Sequence, residues 1–232
     1  MPFPTTRWTR LAEATLNGGT EAKAAMDAMC RKYWQPVFVS LRSMGLGEDQ
    51  ARDLTQGFFL HTMKTSLFRK ADPLRGKFRS FLMGSLKRYV GSSEIRKERR
   101  LRERGIEMVS LEDTGEAVLA DERPDERIFD REWALTTMEA ALVRVRVEYE
   151  TNRGRREFEV LKGFLPTQGG TLPDYAEAAV QLGTTQGALR TDVSRLRKTF
   201  REMLRLEVAR TVSAPHEIEE EMQHLKQVLL HG

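Results

Sequence analysis

Apolar residues recur along this chain every three or four positions, the spacing of one face of an α-helix, whereas the two-residue alternation of a half-buried strand is scarce. The pattern predicts an all-α protein. Thr20 can cap a helix carrying Ala25, Met26, Met29, Cys30 and Tyr33, and Pro36 fits either the first turn of a successor or a kink before Val37, Leu41 and Met44. Gly45 and Gly47 end that stretch. A helix over about 48–64 opens with acids, as the helix dipole favours, and turns Ala51, Leu54, Phe58 and Phe59 inward. After a turn at Ala71-Asp-Pro73, the positions Phe78, Phe81, Leu82, Ser85, Leu86 and Tyr89 hold helical register until Gly91-Ser-Ser93 interrupts it.

From Gly105 to Arg123 the apolar pattern fades and charge rises, which reads as a linker. The expected organisation is therefore an N-terminal helical domain over 1–104, a linker over 105–123, a C-terminal helical domain over 124–212 and a helical extension over 213–232. Pro124-Asp-Glu opens a helix that carries Phe129, Trp133, Leu135, Met138, Ala141 and Leu142, and a shorter one follows with Phe158, Val160, Leu161 and Phe164. Past Pro215, the amphipathic stripe Ile218, Met222, Leu225 and Leu229 can dock on its own chain or on a partner.

The densest local signal lies between Asp174 and Lys198. Asp174 can cap a short helix while Glu177 reaches back to its backbone N–H, and Tyr175, Ala178, Ala179 and Leu182 share one face. Gly183 suits the left-handed conformation that ends such a helix, and Thr185 can cap a second whose Leu189, Val193, Leu196 and Phe200 point inward. Outward go Gln186, Arg190, Thr191, Ser194, Arg195, Arg197 and Lys198, which include the side chains that bond base edges and phosphates from a recognition helix in the major groove. A plain helical hairpin with a basic surface is the alternative; the short turn and the two caps favour a DNA-binding helix-turn-helix.

Composition sharpens this picture through the placement of charge. The net charge over 232 residues is only +4, yet bases heavily outnumber acids from Lys87 to Arg104, while Glu112 to Asp130 and Glu217 to Glu221 are acidic. The basic stretches suit a polyanion. No apolar run approaches a membrane span and the first residues lack the apolar core of a secretion signal, so a cytoplasmic protein without membrane contact is expected. The single cysteine, Cys30, excludes an internal disulfide and reads as a small core residue. His61, His216, His224 and His231 lack metal-ligand spacing, and His216 and His224 are expected on solvated surface. Neither glycine pair, 18–19 or 169–170, sits in a phosphate-cradling motif. No metal, cofactor or catalytic constellation is expected, and an enzyme is the least supported class.

With both halves laid out, the chain resembles the extracytoplasmic-function sigma factors of bacterial RNA polymerase. Asp49-Gln-Ala-Arg-Asp-Leu-Thr-Gln-Gly-Phe-Phe59 is similar to the family's D-A-E-D-L-x-Q-E-x-F helix, which implies docking on core RNA polymerase through Asp49, Asp53, Leu54 and Gln56. Phe78 to Tyr89 and the basic run to Arg100 resemble the segment that melts and reads the minus-ten element, which implies roles for Arg79, Lys87, Arg88, Tyr89, Ser92, Arg96, Arg99 and Arg100 on promoter DNA. The helix-turn-helix resembles the minus-thirty-five reader, which implies DNA contacts from Thr185, Gln186, Arg190, Thr191, Ser194, Arg195, Arg197 and Lys198. The three segments together span about residues 22 to 210, in the family's order.

Two departures carry an expectation of their own. Arg52 and Gly57 stand where the family usually has acids. Thr55 lies in the same helix, and its phosphorylation would add nearly two negative charges there, so Thr55 is a candidate phosphorylation site and a kinase or antagonist protein a candidate partner. The other function classes are a stand-alone helix-turn-helix regulator and an adaptor whose arginine-rich helices contact protein or RNA.

Overall fold

The computed structural model describes residues 20–67, 77–92, 124–166, 171–212 and 214–231. Among the described residues the protein is all-helical, with no strand. The helices are α1 (Thr20–Arg42), α2 (Glu48–Lys64), α3 (Phe78–Val90), α4 (Glu126–Asn152), α5 (Arg155–Leu161), α6 (Tyr175–Leu182), α7 (Gln186–Ala209) and α8 (Glu217–His231), with a 3-10 turn at Lys162–Phe164 after α5. None of the described helices is long and apolar enough to cross a membrane.

The chain divides into two compact units, one of residues 1–134 with 211–232 and the other of residues 135–210. This division differs from the sequence expectation of domains at 1–104 and 124–212: the start of α4 and the C-terminal extension both belong with the first unit. The expected linker, 105–123, lies outside the described residues.

In the first unit, α1 continues through Pro36, so of the two sequence alternatives a separate successor helix is not what forms. Met29, Tyr33, Val37 and Leu41 follow one another at four-residue spacing and are all buried. Gly45 takes a φ of 80° in the turn to α2, a conformation open to glycine at no steric cost. Against this face α2 buries Ala51, Thr55, Phe58, Phe59 and Thr62, and α3 buries Phe78, Leu82, Met83, Ser85, Leu86 and Val90. Rings interlock there: Tyr33 and Phe78 have centroids 5.1 Å apart and Phe58 and Tyr89 5.6 Å. Cys30 is half-buried, and burial followed by the nearby Asp27 pushes its thiol up to about 11, which keeps it a neutral packing residue. α8 opens with the Glu217 carboxylate accepting from the Ala214 N–H at 2.9 Å and seats Leu225 in the core.

In the second unit, Met138, Ala141, Val145 and Tyr149 of α4 pack in one core with Phe158, Leu161 and Phe164 and with Leu189, Val193, Leu196 and Phe200 of α7. Leu135, expected inside, is 41 % exposed. Glu207 is buried on α7 and accepts from Arg144 at 2.5 Å and from Arg210 at 2.5 Å, so its charge is paired on both sides.

Candidate nucleic-acid interface

The turn between α6 and α7 follows from its own residues. The Asp174 carboxylate accepts from the N–H groups of Ala176 and Glu177 at 2.7 and 2.9 Å, which satisfies two of the orphan donors at the start of α6. The reciprocal bond from the Asp174 N–H to Glu177 is not formed among the described residues. Gly183 adopts φ 64° and ψ 35°, the left-handed end of α6, and the Thr184 N–H closes the turn on the Ala179 carbonyl at 2.9 Å. Thr185 Oγ1 then accepts from the Ala188 N–H at 3.2 Å and starts α7.

At about 100° per residue, Gln186, Arg190, Ser194 and Arg197 form one stripe of α7, and Thr191, Arg195 and Lys198 form the adjacent one. Gln186, Arg190, Thr191, Ser194, Arg195 and Lys198 are exposed and Arg197 is half-buried; the second stripe lies opposite the buried Leu189, Val193 and Leu196, and the first flanks them. Their present partners differ. Arg197 donates from Nε to the Phe164 carbonyl at 3.1 Å and so ties α7 to the turn before α6. Arg195 lies 3.6 Å from Asp192, which Arg153 also holds at 2.9 Å. Thr191 donates its hydroxyl to the Gly187 carbonyl at 3.1 Å. Arg190 lies over the Tyr175 ring at 5.5 Å, and that ring packs on Phe164 with centroids 4.6 Å apart.

In the first unit, α2 presents Asp49, Asp53 and Gln56 to solvent, with Leu54 half-buried beside them. Glu48 is paired with Arg52 at 2.7 Å, which offsets part of the acidic character of that helix start. The same stripe continues at helical spacing into Leu60 and Met63, 46 % and 44 % exposed, an apolar end that sequence reasoning missed. Gly57 has a packing reason: a Cβ there would stand 2.6 Å from the Tyr89 hydroxyl. Thr55 is buried at 0 % exposure and donates to the Ala51 carbonyl at 2.7 Å, so in this fold a kinase has no access to it.

The candidate minus-ten residues on α3 are not equivalent. Lys87 is paired with Glu126 at 2.7 Å, exposed Arg88 donates to Ser85 Oγ at 3.0 Å, and Ser92 is half-buried. Tyr89 packs between Phe58 and His61, with centroids 5.6 and 5.3 Å away. Arg96, Arg99 and Arg100 lie outside the described residues.

Arg79 faces inward, contrary to the sequence expectation of a DNA contact. Its Nη1 donates to both carboxylate oxygens of Asp130, at 2.8 and 2.9 Å, and its Nε and Nη2 donate to Glu221 at 3.0 and 3.3 Å. Its guanidinium carbon lies over Trp133, 5.5 Å from the ring centroid. Lys77 reaches the same Glu221 at 2.7 Å, and His224 Nε2 meets Asp130 at 2.9 Å, which removes His224 from the solvated surface expected for it. Burial opposes the charge of Arg79, yet its hydrogen bonds and proximity to Glu221 and then Asp130 outweigh that and strengthen its protonation. Burial pushes the Glu221 carboxyl up, but Arg79 and then Lys77 pull it below its ordinary value. The available signal was positional: Glu221 sits three residues after Ile218 and four before Leu225, within the apolar stripe of α8.

Compared with protein-family models, curated proteins and solved structures, the chain gives no match.

Proposed function

We propose that the chain is a sigma-type promoter-specificity factor, which binds core RNA polymerase and directs it to promoter DNA without bond chemistry of its own. The observation that carries this reading is the outward face of α7, where Gln186, Arg190, Ser194, Arg195 and Lys198 stand exposed behind a capped turn. The stripe Asp49, Asp53, Gln56, Leu60 and Met63 on α2 supports it, because a polar surface that grades into exposed apolar residues suits a protein partner. In this reading residues 105–123 act as a linker between a polymerase-docking, minus-ten domain and a minus-thirty-five domain. A cytoplasmic location goes with it.

Run-off transcription with bacterial core polymerase on a promoter-fragment library tests the proposal. Transcripts that start at a shared sequence pattern are expected. Absence of both polymerase association and directed initiation would overturn it. A second reading, a stand-alone helix-turn-helix regulator, gains from the inward engagement of Arg79, which leaves one fewer DNA-facing base on α3. Sequence-specific binding by the purified chain without polymerase, combined with no directed initiation, would favour that reading.

A further inference from the structure

We propose that Arg190 reads a guanine edge in the major groove and that Tyr175 is the positioning residue that holds it for that task. The inference rests on the DNA-binding reading of α7 and deepens it. An arginine recognises guanine with two parallel N–H donors directed at O6 and N7, so the plane of the guanidinium must be set and its edge must stay open. Tyr175 restricts where the guanidinium can sit. Its ring lies 5.5 Å from the Arg190 guanidinium carbon and is itself fixed on Phe164, with centroids 4.6 Å apart. A cation–π contact occupies no hydrogen-bond acceptor, and among the described residues no acceptor takes a hydrogen bond from Arg190, so its N–H donors stay available.

Arg195, Arg197 and Lys198, the other bases of the two outward stripes of α7, lack this combination. Arg197 already donates to the Phe164 carbonyl, and Arg195 sits beside the Asp192 carboxylate. Lys198 ends in a point charge without a planar fork. These side chains suit phosphates or internal support, whereas Arg190 is both oriented and open. Its place in the first turns of α7 is also where a recognition helix meets base edges.

The test recovers bound sequences from a randomised duplex library, using the full chain alone and together with core polymerase. Wild type should enrich one invariant G·C pair within its site. Arg190→Lys and Tyr175→Leu should each relax preference at that same position by about tenfold, while the salt dependence of binding and preference at other positions stay unchanged. Tyr175→Phe keeps the ring and should retain discrimination; the double variant Tyr175→Leu/Arg190→Lys should be no worse than Arg190→Lys. If Tyr175→Leu leaves that position intact while Arg190→Lys relaxes it, or weakens all positions together with thermal stability, the positioning role is overturned. An Arg190→Lys variant with unchanged preference overturns the guanine assignment. Failure of wild type to enrich any sequence in either arm removes the DNA-binding reading itself, and this proposal with it.

Discussion

Arg79 and Arg190 each place the guanidinium carbon 5.5 Å from an aromatic centroid, yet the edges of the two side chains are occupied differently. Carboxylates close the edges of Arg79: Asp130 takes two bonds and Glu221 two more, and the side chain is only 13 % exposed. The edges of Arg190 face solvent. An arginine over an aromatic ring is therefore a structural cross-link where carboxylates fill its edges and, under the proposal above, a recognition group where they stay open; the ring beneath it does not decide which. Sequence neighbourhood does not decide it either, since Arg79 sits on a helix with further bases at Lys87 and Arg88.

The largest effect is expected where a partner of Arg79 is removed. Glu221→Ala removes two of the four hydrogen bonds of Arg79 and the buried partner of Lys77; because Asp130 still pairs with Arg79, the cost is expected near the low end of that for breaking a buried ion pair, about 3 kcal/mol. Trp34 and Trp133 lie in the first unit and residues 135–210 contain no tryptophan, so tryptophan fluorescence in urea follows this unit. The unfolding midpoint should fall markedly. A midpoint within error of wild type would mean that α8 contributes little to the first unit and that Arg79 is free to turn outward.

The reverse substitution in the second unit should leave stability alone and strike function. Arg190→Glu, at an exposed site, is expected to change folding stability by no more than about 0.5 kcal/mol. Its loss should appear in transcription from a cognate promoter, about tenfold or more, through the weight of one bidentate base contact. Normal transcription by this variant would show that the outward face of α7 is not the DNA-reading surface, and the contrast with Arg79 would lose its functional half.

These expectations also mark where sequence reading succeeded. The Asp174, Gly183 and Thr185 caps and the inward run Leu189, Val193, Leu196 and Phe200 are encoded within four residues of where they act, so periodicity and cap chemistry suffice to place them. The Arg79 cluster depends on partners 51 and 142 residues away, and no local pattern joins those positions. His224 reads as surface because its polarity is visible in the sequence and its partner Asp130 is not. Thr55 was open to modification in the sequence for the same reason; the fold seals it under the core and satisfies its hydroxyl with the Ala51 carbonyl.

Acid should weaken the Arg79 side of the comparison more gently than mutation does. The Glu221 carboxyl is held below its ordinary value of 4.5 in the folded protein. A depressed folded value means the ionised form stabilises the fold at pH above 4.5, and that contribution is lost as pH falls through 4.5 toward the depressed value. The urea midpoint of the tryptophan transition should therefore decline within the acid range, and Glu221→Gln, which cannot titrate, should show a shallower decline over the same interval. Identical slopes would place the acid sensitivity in other carboxylates; Asp125, lowered first by its hydrogen bond from the Arg127 side chain, is one.

The smallest effect tests whether a polar residue of the α7 face serves the protein or the nucleic acid. Thr185 accepts from the Ala188 N–H, so its oxygen is engaged in starting the helix even though the residue is exposed. Thr185→Ala should cost about 1 kcal/mol of helix-start stability, and Thr185→Ser, which keeps the oxygen, only a fraction of that. Amide hydrogen exchange in the first turn of α7 measures both. If Thr185→Ser preserves exchange protection but loses preference at a T·A pair, the missing methyl has been a base contact as well, because a thymine methyl is read by apolar touch. Preserved preference would leave Thr185 on the structural side, with Arg79, and Arg190 as the side chain that the fold orients and leaves open.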